Sequence, residues 1–243
     1  MGFATARAFA REGAKVLMIA RTPDALADAE RTIRAEGGEV AFIAGDVVDP
    51  ELPNRAIEKC TSSWGGVHVL VNNAGGPPMG TLLEHGPEAW EAAVQQNLMS
   101  TVRFCRAVAP VMQREKWGRI VSITSTVAKE PSPSMVLSAT TRSGVAAFTK
   151  AIAIELAPFN VTANVVCPGG VLTDRLVELL RARARREGKT YDELLAESQA
   201  SIPAKRFAEP EEIANVIVFL ASEAGGYVNG VSLSVDGALT RGF

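Results

Sequence analysis

Val67-His68-Val69-Leu70-Val71-Asn72-Asn73-Ala74-Gly75 is a mostly apolar run that stops at two amides and two small residues. Large aliphatic side chains at successive positions suit a strand covered on both faces. Ala74 and Gly75 leave room for close backbone approach at its end. Outward from this run, apolar stretches at 15–20, 40–44, 119–123, 162–166 and 231–235 read as further strands. Helical spacing of apolar residues covers 3–11, 23–36, 50–63, 87–115, 134–156, 174–187, 191–199 and 210–222. Thr22-Pro23 opens one of these helices as cap and first turn, and Gly37-Gly38 closes it. Strand and helix alternate with short connections, which implies parallel strands, right-handed crossovers and helices on both faces of one sheet. The expected fold is α/β, a single doubly wound domain of the Rossmann-like kind over residues 1–243, with no repeat, low-complexity tract or linker. Such sheets bind ligands at the carboxyl ends of their strands.

Composition narrows the function. A formal net charge of −2 gives no electrostatic reason to expect nucleic acid or an anionic membrane as partner. The basic segment 181–186 reads as a solvated helix face. Cys60, Cys105 and Cys167 are odd in number, widely spaced and set among apolar residues, so buried thiols in a reducing compartment are expected. His68 and His85 are too few for a histidine metal site or a Ser-His-Asp triad. No apolar run has the length of a membrane span and the amino end lacks a signal-peptide pattern. A cytoplasmic location is expected.

Several short motifs occur in a fixed order: Asn72-Asn73-Ala74-Gly75 after its strand, Asn97 in the long helix, Ser125, Pro168-Gly169 with Thr173, Arg206-Phe207, Glu209-Pro210-Glu211-Glu212 and Asp236-Gly237. Together they resemble the short-chain dehydrogenase/reductase family over essentially the whole chain, in particular its 3-oxoacyl-acyl-carrier-protein-reductase-like members. The resemblance implies an NAD(P)-dependent oxidoreductase that moves hydride between a nicotinamide and a ketone or secondary alcohol. It implies that Asp46 and Val47 contact the adenine, although a turn or cap role before Pro50 also accounts for Asp46. The acid that NAD-preferring members place at the Ala20 position is absent, and Arg21 can pair with a 2′-phosphate. This favours NADP with NAD still possible; a plain exposed arginine is the other account. Asn73, Ala74 and Gly75 would line the cofactor cleft, with Asn73 also suited to tying strands together. Pro168, Gly169, Val171 and Thr173 resemble the loop that holds the nicotinamide amide and a phosphate. The resemblance also implies a homotetramer or homodimer. Residues 174–203 resemble a substrate lid, where Leu176, Leu179, Leu180, Leu194 and Leu195 either line an apolar pocket or pack as ordinary core.

The family's catalytic set is Ser, Tyr and Lys with a supporting Asn, and this chain departs from it. Ser125 and Asn97 match, but Ser138 stands at the tyrosine position and Arg142, one helical turn later, at the lysine position. The tyrosines, Tyr191 and Tyr227, lie elsewhere; Tyr191 would have to swing in from the lid to act as acid. A serine alcohol cannot reach the acidity of a tyrosine beside a cation. Its shorter side chain is expected to leave a gap of about one water molecule, which could relay a proton. Arg142 keeps the charge and can bind ribose but does not shuttle protons at neutral pH. Two functions follow: an oxidoreductase with an atypical proton donor, or a catalytically silent cofactor-binding subunit with a regulatory or scaffolding role. The substrate itself is not legible.

Met1-Gly2-Phe3 begins inside what the family has as a glycine-rich turn, with Gly2 at the position of its last glycine. The expectation is a sheet without its first, central strand and most of that turn, roughly 15 residues of upstream sequence.

Overall fold

The computed structural model describes residues 1–242. Its strands are β1 (Val16–Ala20), β2 (Val40–Ala44), β3 (Val69–Asn72), β4 (Gly118–Ile123), β5 (Val161–Pro168) and β6 (Ser232–Val235). All pairings are parallel, as the alternation of strand and helix requires. They do not form one sheet, which corrects the expectation. β1 and β2 make a two-stranded sheet, and β3-β4-β5-β6 a four-stranded one. The physical reason is that no backbone ladder joins β1 to β3.

Helices bridge the break on both faces. On one face α1 (Gly2–Arg11) packs Ala6 and Ala10 against Met18 of β1, while its Phe9 enters the cluster that includes Val71 of β3. On the other face Leu17 and Ile19 of β1 and Leu70 of β3 share the cluster formed by Leu52, Ala56 and Phe104. Leu52 and Ala56 belong to α3 (Leu52–Trp64), and α2 (Pro23–Ala35) covers the smaller sheet with Leu26 and Ile33.

β4 and β5 are buried at every position, and the main core lies against them. On one face Val108 and Met112 of α5 (Ser100–Glu115) meet Ala153 and Leu156 of α6 (Val136–Leu156). On the other, α9 (Pro210–Ala221) supplies Ile213, Ile217 and Leu220. Of the polar residues of β5, Thr162 keeps a buried hydroxyl without a partner, whereas Asn164 is fully engaged. Asn164 donates to Val228 O at 2.7 Å and accepts from Val231 N at 3.2 Å.

The long helix expected over 87–115 is three pieces. α4 (Pro87–Ala93) runs into a π-helical stretch, Val94–Met99, and then α5. Ser100 and Thr101 turn their hydroxyls back onto Gln96 O and Asn97 O, which gives those carbonyls side-chain partners where the helical ladder is shifted. α7 (Asp174–Glu187) and α8 (Tyr191–Ser201) match the spacing read from sequence.

The amino end of β4 is held by Arg119, only 1% exposed. It donates to Gly118 O at 2.9 Å and Asn160 O at 3.1 Å, reaches Ser222 O at 3.4 Å, and stacks 4.3 Å from the Trp117 ring. Glu223, the nearby acid, is mostly exposed, so its charge contributes little. Arg119→Ala is therefore expected to lower stability by roughly 2–4 kcal/mol through unpaired buried carbonyls and lost packing. Glu223→Gln should change it by less than about 1 kcal/mol. Denaturant unfolding of the two variants checks the difference.

Candidate active site

The carboxyl end of β4 positions the central groups. Thr124 N donates to Val166 O at 2.8 Å, and the Thr124 hydroxyl lies 3.2 Å from Cys167 Sγ. The next residue, Ser125, is extended, and its Oγ accepts from Val127 N at 3.4 Å to open the short turn Thr126–Ala128. Ser143 of α6 donates to Ala128 O at 3.0 Å and holds the helix against that turn. α6 therefore presents Ser138 and Arg142 beside the end of β4.

Ser138 and Arg142 are bonded to each other. Arg142 Nε donates to Ser138 Oγ at 3.1 Å and Nη1 reaches Ile123 O at 3.4 Å. The water-sized gap expected beside Ser138 is not open: this residue is only 4% exposed, and its hydroxyl oxygen is taken by the guanidinium. Nη2 lies beside Gly76, where an added Cβ would come within 3.7 Å of it. Asn97, on the π-helical stretch, is likewise 4% exposed. Its Nδ2 donates to Gly75 O at 2.8 Å, and its Oδ1 has no partner.

The local charge is lopsided. Burial draws the Arg142 guanidinium below its ordinary range, with the neighbouring Cys167 opposing the shift. Burial also pushes the Cys167 thiol up, against the Thr124 hydrogen bond and the charges of Lys129 and Arg142. Lys129 Nζ donates to Ser232 O and Ser234 Oγ, both at 3.2 Å. Asp236, the acid nearest Cys167, already accepts from Thr240 Oγ1 at 2.7 Å, Thr240 N at 2.9 Å and Ala238 N at 3.0 Å.

The residues expected on the cofactor side fall into three places. Gly2 meets the end of β3: a Cβ there would stand 2.9 Å from Asn73 Nδ2, so α1 begins in contact with the Asn73-Ala74-Gly75 turn. Arg21 and Asp46 follow the strands of the smaller sheet and are exposed, while Val47 is half-buried against the Leu52 cluster. Asp46 Oδ1 accepts from Val48 N at 3.2 Å, which is the turn role. The strand tie considered for Asn73 is made by Asn72, whose Nδ2 donates to Ser122 Oγ at 3.2 Å.

After β5, Pro168 pairs with Val235, and a Cβ on Gly169 would lie 2.8 Å from that of Asp236. Val171 bridges to Ala208, and Thr173 caps α7, accepting from Leu176 N at 3.4 Å. Ser125, Ser138, Arg142, Asn97 and Gly75 thus converge around β3 and β4. Arg21, Asp46 and Val47 stand apart from them on the smaller sheet, while Val171 packs with Val121 and Ile123 of β4.

Of the five leucines named in α7 and α8, all but Leu179 share one cluster. Leu180 and Leu194 are buried with Ile202 and Phe207, and Leu176, Leu195 and Tyr191 pack around them. Tyr191 sits under Arg181 at 5.7 Å, so it is engaged with α7. Two neighbours of the site were not picked out from sequence: Gly76, hidden behind the better-marked Gly75, and Lys129, which no motif flags. Cys105 and Cys167 are buried thiols as expected, with burial pushing Cys105 up to about 12. Cys60, near the carboxyl end of α3, is only half-buried. Among the described residues there is no cluster of metal ligands and no helix long and apolar enough to cross a membrane.

A parallel α/β fold with small residues at the carboxyl ends of its strands has the ligand-binding layout of doubly wound sheets. Residues 1–240 match the family model described as enoyl-(acyl carrier protein) reductase, and the chain belongs to the short-chain dehydrogenase/reductase family of oxidoreductases. It is 32% identical over 241 residues to a D-beta-hydroxybutyrate dehydrogenase of Cupriavidus necator, covering 98% of this chain and 92% of that one. It is 33% identical over 239 residues to a 3-oxoacyl-(acyl-carrier-protein) reductase of Thermotoga maritima, covering 98% and 93%. Among solved structures, L-sorbose reductase from Gluconobacter frateurii, complexed with NADPH and L-sorbose, superposes with a TM-score of 0.95. That pair is 33% identical over 100% of this chain and 93% of the other.

Because Ser138 is the partner of Arg142 Nε, Ser138→Ala should destabilise the protein by about 1–3 kcal/mol. Adding Arg142→Met should recover part of that loss, a coupling of about 1 kcal/mol or more. A double-mutant cycle in urea measures it.

Proposed function

We propose that the protein is an NADP-preferring oxidoreductase that reduces a ketone, or oxidises the matching secondary alcohol, with Ser138 and Arg142 in place of the family's usual proton-donating pair. The observation that carries this reading is the convergence of Ser125, Asn97, Ser138 and Arg142 at the end of β4, in a chain whose relatives are reductases and dehydrogenases. The residues present suit a nicotinamide dinucleotide. Gly2 permits close approach to Asn73, Gly76 adds no side chain beside Arg142, Gly75 adds none beside Gln96, and Arg21 makes no ion pair among the described residues. The solved NADPH complex of the sorbose reductase supports NADP, and Arg21 suits a 2′-phosphate. Asp46 and Val47 would border the adenine, while Pro168, Gly169, Val171 and Thr173 would edge the nicotinamide.

When bound, the nicotinamide supplies or accepts the hydride. The protein's part is to hold the carbonyl and manage charge on its oxygen. Ser125 Oγ and Ser138 O–H donate to that oxygen, and the adjacent guanidinium stabilises it as negative charge grows. Arg142 cannot give up a proton at neutral pH and a serine alcohol is too weak an acid to be its source, so the proton comes from water and passes through the Ser125 or Ser138 hydroxyl. Loss of a tuned acid costs roughly 10²–10⁴-fold in rate, so slow turnover is expected while hydride positioning persists. The chain is read as one catalytic domain that works in the cytoplasm as a homotetramer or homodimer, with α7 and α8 as its lid.

Two measurements test this. Fluorescence titration should show NADPH binding, with Arg21→Ala weakening it about 10- to 100-fold and leaving NADH nearly unchanged. Equal loss for both nucleotides would remove Arg21 from the 2′-phosphate. Steady-state reduction of a ketone panel should be detectable in the native protein and fall in the Ser138→Tyr, Arg142→Lys double variant. A gain in that variant would mean that the native site is catalytically silent.

A further inference from the structure

The turn that carries Ser125 has little hold of its own. The Ser125 hydroxyl accepts from Val127 N at 3.4 Å, longer than an ordinary N–H···O bond. Backbone bonds close the turn, from Ala128 N to Ser125 O at 3.0 Å and from Lys129 N and Glu130 N to Thr126 O at 2.9 Å. All of these stay within residues 125–130. Ser143 ties the turn to α6 through Ala128 O. Two further tethers leave it through Lys129 and Glu130. Lys129 Nζ donates to Ser232 O and Ser234 Oγ of β6, both at 3.2 Å. Glu130 Oε1 accepts from Arg241 N at 2.5 Å and Gly242 N at 3.0 Å. Hydrogen bonds with one charged partner are stronger than neutral ones. Lys129 is half-buried and Glu130 exposed, so Lys129 gives the firmer hold.

The segment 236–242 that Glu130 grips also touches two other parts of the molecule. At its start, Asp236 lies against Gly169, where an added Cβ would come within 2.8 Å of the Asp236 Cβ. Next to it, Gly237 O accepts from Ala204 N at 3.1 Å. Gly237 has φ of +64°, and a Cβ there would stand 2.8 Å from Ala204 Cβ and 3.1 Å from Ile202 Cγ2. Ile202 belongs to the cluster that holds α7 and α8 together. One stretch of chain therefore joins the base of the lid, the loop after β5 and the Ser125 turn.

We propose that Lys129 and Glu130 are positioning residues that tie the Ser125 turn to β6 and to segment 236–242, so that the lid, through Gly237, helps set where the Ser125 hydroxyl stands. The effect on catalysis rests on the oxidoreductase reading above; the mechanical link does not. Lys129 acts through the turn and not on the reacting carbonyl, because its ammonium is directed to β6. Small displacements matter in such a place, since a shift of about 1 Å in an orienting group can cost on the order of 100-fold in rate. A turn anchored to a strand and to the lid base keeps its hydroxyl in one place while the lid is closed, and loses that definition when either anchor is cut.

Hydrogen exchange read by mass spectrometry tests the link on the full chain. Lys129→Met is expected to speed exchange over residues 126–130 by about 10-fold and leave α5 unchanged. Lys129→Arg, which can donate to the same acceptors, should stay near the native rate. Glu130→Ala should speed the same stretch by about 3-fold, and Glu130→Gln, whose amide oxygen can accept both N–H groups, should restore it. This exposed pair decides the matter if Lys129→Met fails to fold. Gly237→Ala, remote from the turn in sequence and strained at its φ, should also speed exchange at 126–130. Native exchange there in the Lys129→Met, Glu130→Ala and Gly237→Ala variants, or an equal rise everywhere, overturns the proposal. In steady-state reduction of the ketone that the native protein turns over fastest, Lys129→Met should lower kcat about 10-fold with NADPH affinity unchanged. An unaltered kcat beside faster exchange overturns the positioning role. Absence of turnover in the native protein counts against the oxidoreductase reading alone, and the exchange pattern then decides the link by itself.

Discussion

β4 is bonded to a neighbour along both edges and buried at all of its positions, and the candidate site is built on its carboxyl end. A strand in that situation cannot shift register without exposing one whole face and breaking two ladders. Arg119 fixes its amino end, and α5, α6 and α9 clamp its faces. The last carbonyl, Ile123 O, is therefore a rigid reference point. Arg142 reaches it directly, and Ser125 follows it by one short step of chain. Groups built on such a strand are positioned far better than groups on a free loop.

The smaller sheet depends on a different force. Nothing in the backbone ladder ties β1 and β2 to the rest, so their placement relies on apolar side chains reaching across from Leu17 and Ile19 to Leu52, Phe104 and Leu70. Burial of this kind is strong but not directional. Arg21 and Asp46 stand on this part, whereas Ser138 and Arg142 stand on the larger sheet's helix. Any ligand spanning both would add to the hold between them, since a group that binds only the assembled form stabilises it.

The order of elements could be read from sequence because buried parallel strands and amphipathic helices each leave a periodic mark. What could not be read depended on partners distant in the chain. A strand's own residues do not say which strands flank it, so only the resemblance, through the expected want of a central strand, hinted at a break in the sheet. The π-helical stretch at Asn97 has no period of its own, and its cause, the back-bonded Ser100 and Thr101, is shared by many ordinary helices. Asn72 and Asn73 are chemically equal in sequence; only the pleat, which sends successive side chains to opposite faces, made Asn72 the strand tie. The lid leucines fit both a pocket and a core by spacing, and the structure packs them against Phe207 and Ile202. Family resemblance drew attention to Ser138 and Arg142, but could not say that the two residues bond each other.

That bond changes how the two departures should be weighed. Taken singly, a serine at the tyrosine position leaves a hole, and an arginine at the lysine position adds bulk. Taken together, the longer guanidinium lies where the hole would be, and the hydroxyl gives its Nε an acceptor. A lone decaying position would not supply its neighbour's missing hydrogen bond, so the pair is internally consistent as a structural unit. It is also consistent chemically. With its oxygen accepting from a cation, the Ser138 hydroxyl is polarised toward donating its own proton, although far less than a tyrosine would be. On the proposed reading a fixed positive field stands in place of a tunable acid, and catalysis of hydride transfer there would rest on stabilising charge at the carbonyl oxygen more than on delivering a proton to it.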